Sequence, residues 1–169
     1  PGRVRRFSPD DAWLLTTAGT ELRIWDTARV SQIGPSITLE RLSDDDDDDD
    51  GYYFEFSADS SWLIAGRRRG SASLHRLGEP SAAGKLAGLK FAVAGFSPDG
   101  KWLAVRGSNN THALWSLRTA TPVFEAAADS IEVSSDGRWM LARFSSNHAE
   151  VWNLQAGSSP AKVLPLDRI

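Results

Sequence analysis

The side chains in this sequence with the capacity for chemistry are carboxylates, three histidines and one run of arginines. Four aspartates recur at a fixed place in a repeated motif, which reads "FSPDDAWL" from Phe7, "FSADSSWL" from Phe56, "FSPDGKWL" from Phe96 and "VSSDGRWM" from Val133. Asp10, Asp59, Asp99 and Asp136 each stand three residues after the first residue of their motif. Two carboxylates brought together can share acid and base roles. One carboxylate per repeat, set among Ser, Pro and Gly, instead reads as a turn residue bonding its own backbone. Seven further aspartates, Asp44, Asp45, Asp46, Asp47, Asp48, Asp49 and Asp50, run without interruption. Hard cations take several carboxylate oxygens, but from ligands spaced along a glycine-containing loop, a spacing this run lacks. Like charges in an unbroken row repel and favour an extended, solvated loop, here residues 43–51, whose sharper role is to meet a basic partner. Arg67, Arg68 and Arg69 supply the opposite charge and are expected in a turn at the same end of the second repeat, partly neutralising the acidic loop. An exposed pair of this kind contributes only ~0–1 kcal/mol.

The histidines are His75, His112 and His148. His75 occupies a position that is Trp in the other repeats, so packing is its expected role. His112 and His148 precede Trp115 and Trp152 by three and four residues, near turns of neighbouring repeats, too far apart to share a metal. The chain has no cysteine, which excludes disulfides, thiolate metal sites and a thiol nucleophile. No serine sits in a Gly-x-Ser-x-Gly elbow, and no glycine-rich loop links a strand to a helix for phosphate binding. The sequence therefore assigns no catalytic residue, no cofactor and no metal. "NNT" at Asn109 is a glycosylation sequon with meaning only in a secreted protein. Asn109, Asn110 and Asn147, in the turns Ser108 to Thr111 and Ser145 to His148, join the acidic and arginine runs as candidate partner-binding residues.

Composition narrows the partner classes. The chain has 169 residues and a formal net charge of −3, and setting aside the seven-Asp run turns that into +4. A mild balance with no basic stripe gives no reason to expect nucleic acid. No apolar stretch approaches the roughly 20 residues of a membrane-spanning helix, and no signal peptide opens the sequence. The expected setting is cytoplasmic. A first residue that is Pro and not Met leads us to expect a piece of a longer polypeptide.

The elements that must position these residues follow from the repeat. Each motif carries a Trp six residues after its first residue: Trp13, Trp62, Trp102 and Trp139. A second marked position follows twelve or thirteen residues later and holds Trp25, His75, Trp115 and Trp152. One template thus places all seven tryptophans. Successive motifs start 49, 40 and 37 residues apart, and the longest interval contains the seven-Asp run. Short apolar runs alternate with turn signals in every copy, as in "FAVAGF", "KWLAVRG", "HALWSL" and "TPVFEAA" of the third. A period near 40 residues built of four strands is that of a propeller blade. Large flat indoles suit the widening gap between sheets that splay from an axis.

With "LRIWD", "ALWSL" and "EVWNL" each following an "FSPDG"-like turn, the chain resembles WD-repeat β-propellers over nearly its whole length. Only Trp25-Asp26 is a literal Trp-Asp pair. No Gly-His precedes a first strand, and the second turn lacks the Asp that joins the buried hydrogen-bond network in such repeats, so apolar packing is expected to carry more of the stability. The "SPDG" turn also resembles the repeats of Tol-type and peptidase-associated propellers. The resemblance implies an all-β fold, a β-propeller of four-stranded antiparallel blades with four blades in this chain, at about 4–42, 52–90, 91–127 and 130–166. Such rings usually close with more blades. Four would leave two open apolar faces, to be covered by blades from another chain or segment or by a homo-dimer, unless four close alone. The implied function is a non-catalytic protein-protein interaction scaffold, part of a larger multidomain protein. The alternative is the propeller of a hydrolase or peptidase that gates or shapes its substrate site.

Overall fold

In the computed structural model, residues 2–39, 51–67, 70–78, 82–86, 91–107, 111–145, 147–156 and 160–165 are described, with 82–86 and 91–94 described as backbone only. The chain is all-β and folds into four antiparallel sheets. The first holds β1 (Arg3–Phe7), β2 (Trp13–Ala18), β3 (Glu21–Asp26), β4 (Ser31–Gln32) and β5 (Ile37–Thr38). The second holds β6 (Tyr52–Phe56), β7 (Trp62–Arg67), β8 (Ala72–Arg76) and β9 (Ala82–Leu86). The third holds β10 (Phe91–Phe96), β11 (Trp102–Gly107), β12 (His112–Ser116) and β13 (Thr121–Ala126), and the fourth β14 (Ser130–Val133), β15 (Trp139–Phe144), β16 (His148–Asn153) and β17 (Lys162–Pro165). Strands follow chain order within each sheet, except that β4 and β5 both pair with β3. They are two halves of one fourth strand, separated at Gly34-Pro35, where Pro has no N–H to give the ladder. Among the described residues no helix is long and apolar enough to cross a membrane.

The chain divides into two compact units, Pro1–Leu89 and Lys90–Ile169. Strand alternation aims one face of each sheet at its companion within the unit. In the first unit Leu15, Leu22 and Leu39 of one sheet pack with Phe56, Leu63 and Ala65 of the other, with Trp13 and Ile24 at the margin. In the second, Leu114 and Phe124 pack with Met140 and Ala142, with Trp102 and Trp152 against them. Phe124 of β13 meets Trp152 of β16 edge to face, 5.3 Å between ring centres at 75°, a geometry that contributes about 0.5–1.5 kcal/mol beyond the buried area. Trp102 and Trp152 thus pack against the core between the two sheets of the second unit, whereas Trp139 is 42% exposed.

One turn departs from good local chemistry. Val30, between β3 and β4, has φ +51° and is 84% exposed. A β-branched residue in the left-handed region is strained by about 1–2 kcal/mol, and its exposure means no packing compensates. Val30→Asn is expected to stabilise the chain by about 1 kcal/mol, measured as a raised urea midpoint with unchanged slope.

Candidate functional site

The four repeated aspartates share one geometry. The template Ser of each motif, Ser8, Ser57, Ser97 or Ser134, donates its hydroxyl to the Oδ1 of the Asp two residues on, at 2.6 Å in every copy. The same hydroxyl oxygen accepts the backbone N–H of the template Trp at 2.9 to 3.0 Å. Each Asp Oδ1 also accepts a backbone N–H from the residue before the Trp, at 3.0 to 3.2 Å. Backbone bonds between Ser and Trp close the loop in every copy, as from Ser97 N to Trp102 O at 2.9 Å. The carboxylate and the hydroxyl thus replace a turn's missing ladder bonds. For Asp10 and Asp136 the bonds from Ser8 and Ser134 lead in holding the carboxyl below its usual range. At Asp59 and Asp99 partial burial pushes upward, and the bonds from Ser57 and Ser97 with their companions outweigh it. Asp99 also pairs with Lys101 at 3.1 Å. The expectation of a turn role for the repeated Asp agrees with this geometry. The Ser that completes the device is present in every motif, and its recurrence was the signal for it.

Turns of paired sheets interlock. In the first unit the Asp10 N–H donates to Ser60 Oγ at 3.2 Å. In the second, Trp102 Nε1 donates to Gly137 O at 2.9 Å. Ser60 and Gly137 hold the same template position, and both have positive φ, 56° and 67°.

The second marked position is polar at its rim. Trp25 Nε1 donates to Thr16 Oγ1 at 2.8 Å and Trp152 Nε1 to Glu150 Oε2 at 3.0 Å. His75 takes the corresponding place, opposite Leu63 in the ladder and 2.6 Å from Ser73 Oγ through Nε2. It is buried, and burial depresses its pKa to about 4. His75 is therefore a neutral packing residue at pH 7. Among the described residues no three His, Asp or Glu side chains converge to hold a metal.

Arg67 closes β7 and is only 5% exposed. Its guanidinium lies 5.5 Å over the Tyr52 ring and so close to Gly51 that a side chain there would stand 3.1 Å from Nε. An arginine stem buries readily along an aromatic face, which accounts for its position on a strand end where the sequence suggested a turn. Gly51 directly follows Asp50 in the sequence. Asn147 is exposed in the turn before β16, with φ +64°. Asp44 to Asp50, Arg68, Arg69, Asn109 and Asn110 lie outside the described residues.

A feature that sequence reading did not single out joins the two sheets of the first unit. Arg5 and Arg6 of β1 with Tyr52, Tyr53, Phe54 and Glu55 of β6 line an open cleft of ≈ 400 Å³. The β1 ladder shifts register between Val4 and Arg6, a bulge that re-aims the side chain at its centre. Arg5 Nε donates to Thr17 Oγ1 at 2.7 Å, and Arg6 Nη1 reaches across to Phe54 O at 3.1 Å. Tyr53 donates its hydroxyl to Glu55. β1 is an edge strand with exposed side chains. Guanidinium groups beside tyrosine rings on a strand edge suit an extended segment carrying carboxylates.

No protein-family model matches this chain, and no curated protein is significantly similar to it.

Proposed function

We propose that this chain is a non-catalytic protein-interaction scaffold, a stack of propeller blades of the WD-repeat type whose recognition residues lie on strand edges and turns. One observation carries the reading. The carboxylates that the repeat places in every copy are each spent on internal bonds to Ser and backbone N–H groups. What varies between copies is offered for recognition: the β1–β6 cleft, and the acidic segment and turn asparagines. The four antiparallel sheets and their indole-bearing cores support the blade architecture. The partner supported best at the cleft is a protein segment bearing acidic and aromatic side chains, bound in extended form.

Selection of displayed random peptides on the intact chain tests this. Enriched peptides are expected to be acidic and to lose about tenfold or more in affinity to Arg6→Glu, the effect of about 1.4 kcal/mol or more. Retention of every enriched peptide by a folded Arg6→Glu chain contradicts the cleft. Hydrolysis of peptides by the purified chain contradicts the scaffold.

A further inference from the structure

Tyr52 lines the β1–β6 cleft together with Arg5 and Arg6. It is the first residue of β6, an edge strand whose ladder partner is β7. Tyr52, Phe54 and Phe56 belong to the core that joins the first two sheets, so by alternation Tyr53 and Glu55 stand on the other face of β6. The Tyr52 ring is held on two sides. The Phe54 ring stacks beside it, 6.2 Å between centres at 28°, and the Arg67 guanidinium lies 5.5 Å over it. Both contacts engage the ring, and the residue as a whole is only half-buried.

The two adjacent tyrosines differ in what they are placed to carry. Tyr53 donates its hydroxyl to Glu55. A phosphoryl group there would remove that donor and set an anion beside a carboxylate. A phosphoryl group on Tyr52, carrying about −1.5 to −2 charges at pH 7, would share its cleft with two guanidinium groups. Arg6 gives Nη1 to a neutral carbonyl, Phe54 O, at 3.1 Å. A phosphate oxygen is the stronger acceptor, because its bond to a guanidinium is charge-assisted and matches the fork of N–H donors. The sequence before Tyr52 runs Asp44 to Asp50 and then Gly51. Negative charge fixed on one side of a tyrosine attracts a basic substrate groove and sets the register in which the tyrosine enters it.

Resting on the reading of the cleft as a peptide site, we propose that Tyr52 is a phosphorylation site whose phosphate pairs with Arg5 and Arg6 and blocks the cleft to acidic segments. The phenol oxygen attacks the terminal phosphorus of a nucleoside triphosphate, held by an enzyme that selects tyrosine after acidic residues. The bond from that phosphorus to the bridging oxygen breaks, nucleoside diphosphate leaves, and the phenol proton passes to the enzyme's base. The phosphate then occupies the guanidinium groups that an incoming carboxylate would use, and it repels that carboxylate. Modification thus turns recognition off at the site that performs it. The edge position of β6 gives access, since its first residues peel from β7 alone, and local openings of this kind cost far less than global unfolding.

The test treats the intact folded chain with ATP, magnesium and a tyrosine kinase selective for acidic flanks, and locates the product by peptide mass mapping. Phosphate on Tyr52, absent from the Tyr52→Phe chain, is the expected result. Phosphate confined to Tyr53, phosphate that forms only on the urea-unfolded chain, or none at all overturns the proposal. The phosphorus NMR resonance of the modified chain reports the pairing. The phosphate is expected to titrate about one pH unit below its value in urea, because neighbouring opposite charge favours the more charged form. Arg6→Gln, at an exposed side chain, should move it back toward the urea value. A Tyr52 phosphate that titrates identically in folded and unfolded chains overturns the pairing. The modified chain is also expected to bind an acidic, aromatic peptide selected on the unmodified chain about tenfold more weakly, and undiminished binding overturns the blocking role. An unmodified chain that captures no acidic peptide overturns the scaffold reading and the blocking role with it, while mass mapping and the phosphorus titration still decide whether Tyr52 takes a phosphate that the arginines hold.

Discussion

Acidification from pH 7 to about pH 4 is expected to remove about 3 kcal/mol of stability through His75 alone. In the folded chain burial lowers the His75 pKa from 6.5 to about 4. Above pH 6.5 the imidazole is neutral in both folded and unfolded chains, and its contribution is fully present. Between those two values the unfolded chain takes up a proton that the folded chain refuses, so stability falls as pH falls, by about 1.4 kcal/mol per pH unit. Below the folded value both states are protonated and the loss levels off. The repeated aspartates act in the same direction lower down, because their folded pKa values lie below 3.8 and their contribution is lost only in stronger acid. His75→Gln keeps a side chain able to bond Ser73 and does not titrate. Urea unfolding at half-unit pH steps should show parent and variant curves diverging below pH 6.5, with the variant flatter by about 3 kcal/mol at pH 4. Parallel curves would remove His75 as the cause.

The strands and the turn aspartates were legible in the sequence because both are local. Alternation and turn residues act within a few positions, and Asp59 or Asp99 bonds groups within two residues of itself. What depends on a second sheet was not legible. Trp102 and Trp139 occupy the same template position, yet Trp102 gives its N–H to the turn of the neighbouring sheet while Trp139 is 42% exposed. Arg67 belongs to an arginine run that reads as solvated charge, and its burial depends on the Tyr52 ring from the adjacent strand. The β1–β6 cleft exists because Arg6, near the start of the chain, reaches a carbonyl of the second sheet, a juxtaposition that no spacing in either repeat announces. His75 could be read as a packing residue from the template alone, but its uncharged state needed the burial that the fold supplies.

Gly137→Ala is expected to destabilise the chain by about 2–4 kcal/mol, because two separate costs fall on one residue. Its φ of +67° is a conformation that a side chain adopts only at a cost of about 1 kcal/mol. An added methyl group would also overlap the Asp99 carboxylate. That carboxylate cannot simply turn aside, since it holds the Ser97 hydroxyl at 2.6 Å and the Lys101 N–H at 3.2 Å. Displacing it forfeits bonds to a charged acceptor, each contributing about 1.5–3 kcal/mol before screening by solvent. Gly19 separates the two costs: its φ is +58° and nothing lies within 4 Å of the position a side chain would take. Gly19→Ala should therefore cost only about 1 kcal/mol. With Asp99→Ala as the background, the cost of Gly137→Ala should fall toward the Gly19 value, because the overlapping group is gone. A double-mutant cycle on urea midpoints measures that coupling. A Gly137→Ala cost that is the same with and without the Asp99 carboxylate would mean that backbone conformation alone selects glycine in this turn and that the interlock of neighbouring turns contributes nothing to holding the sheets together.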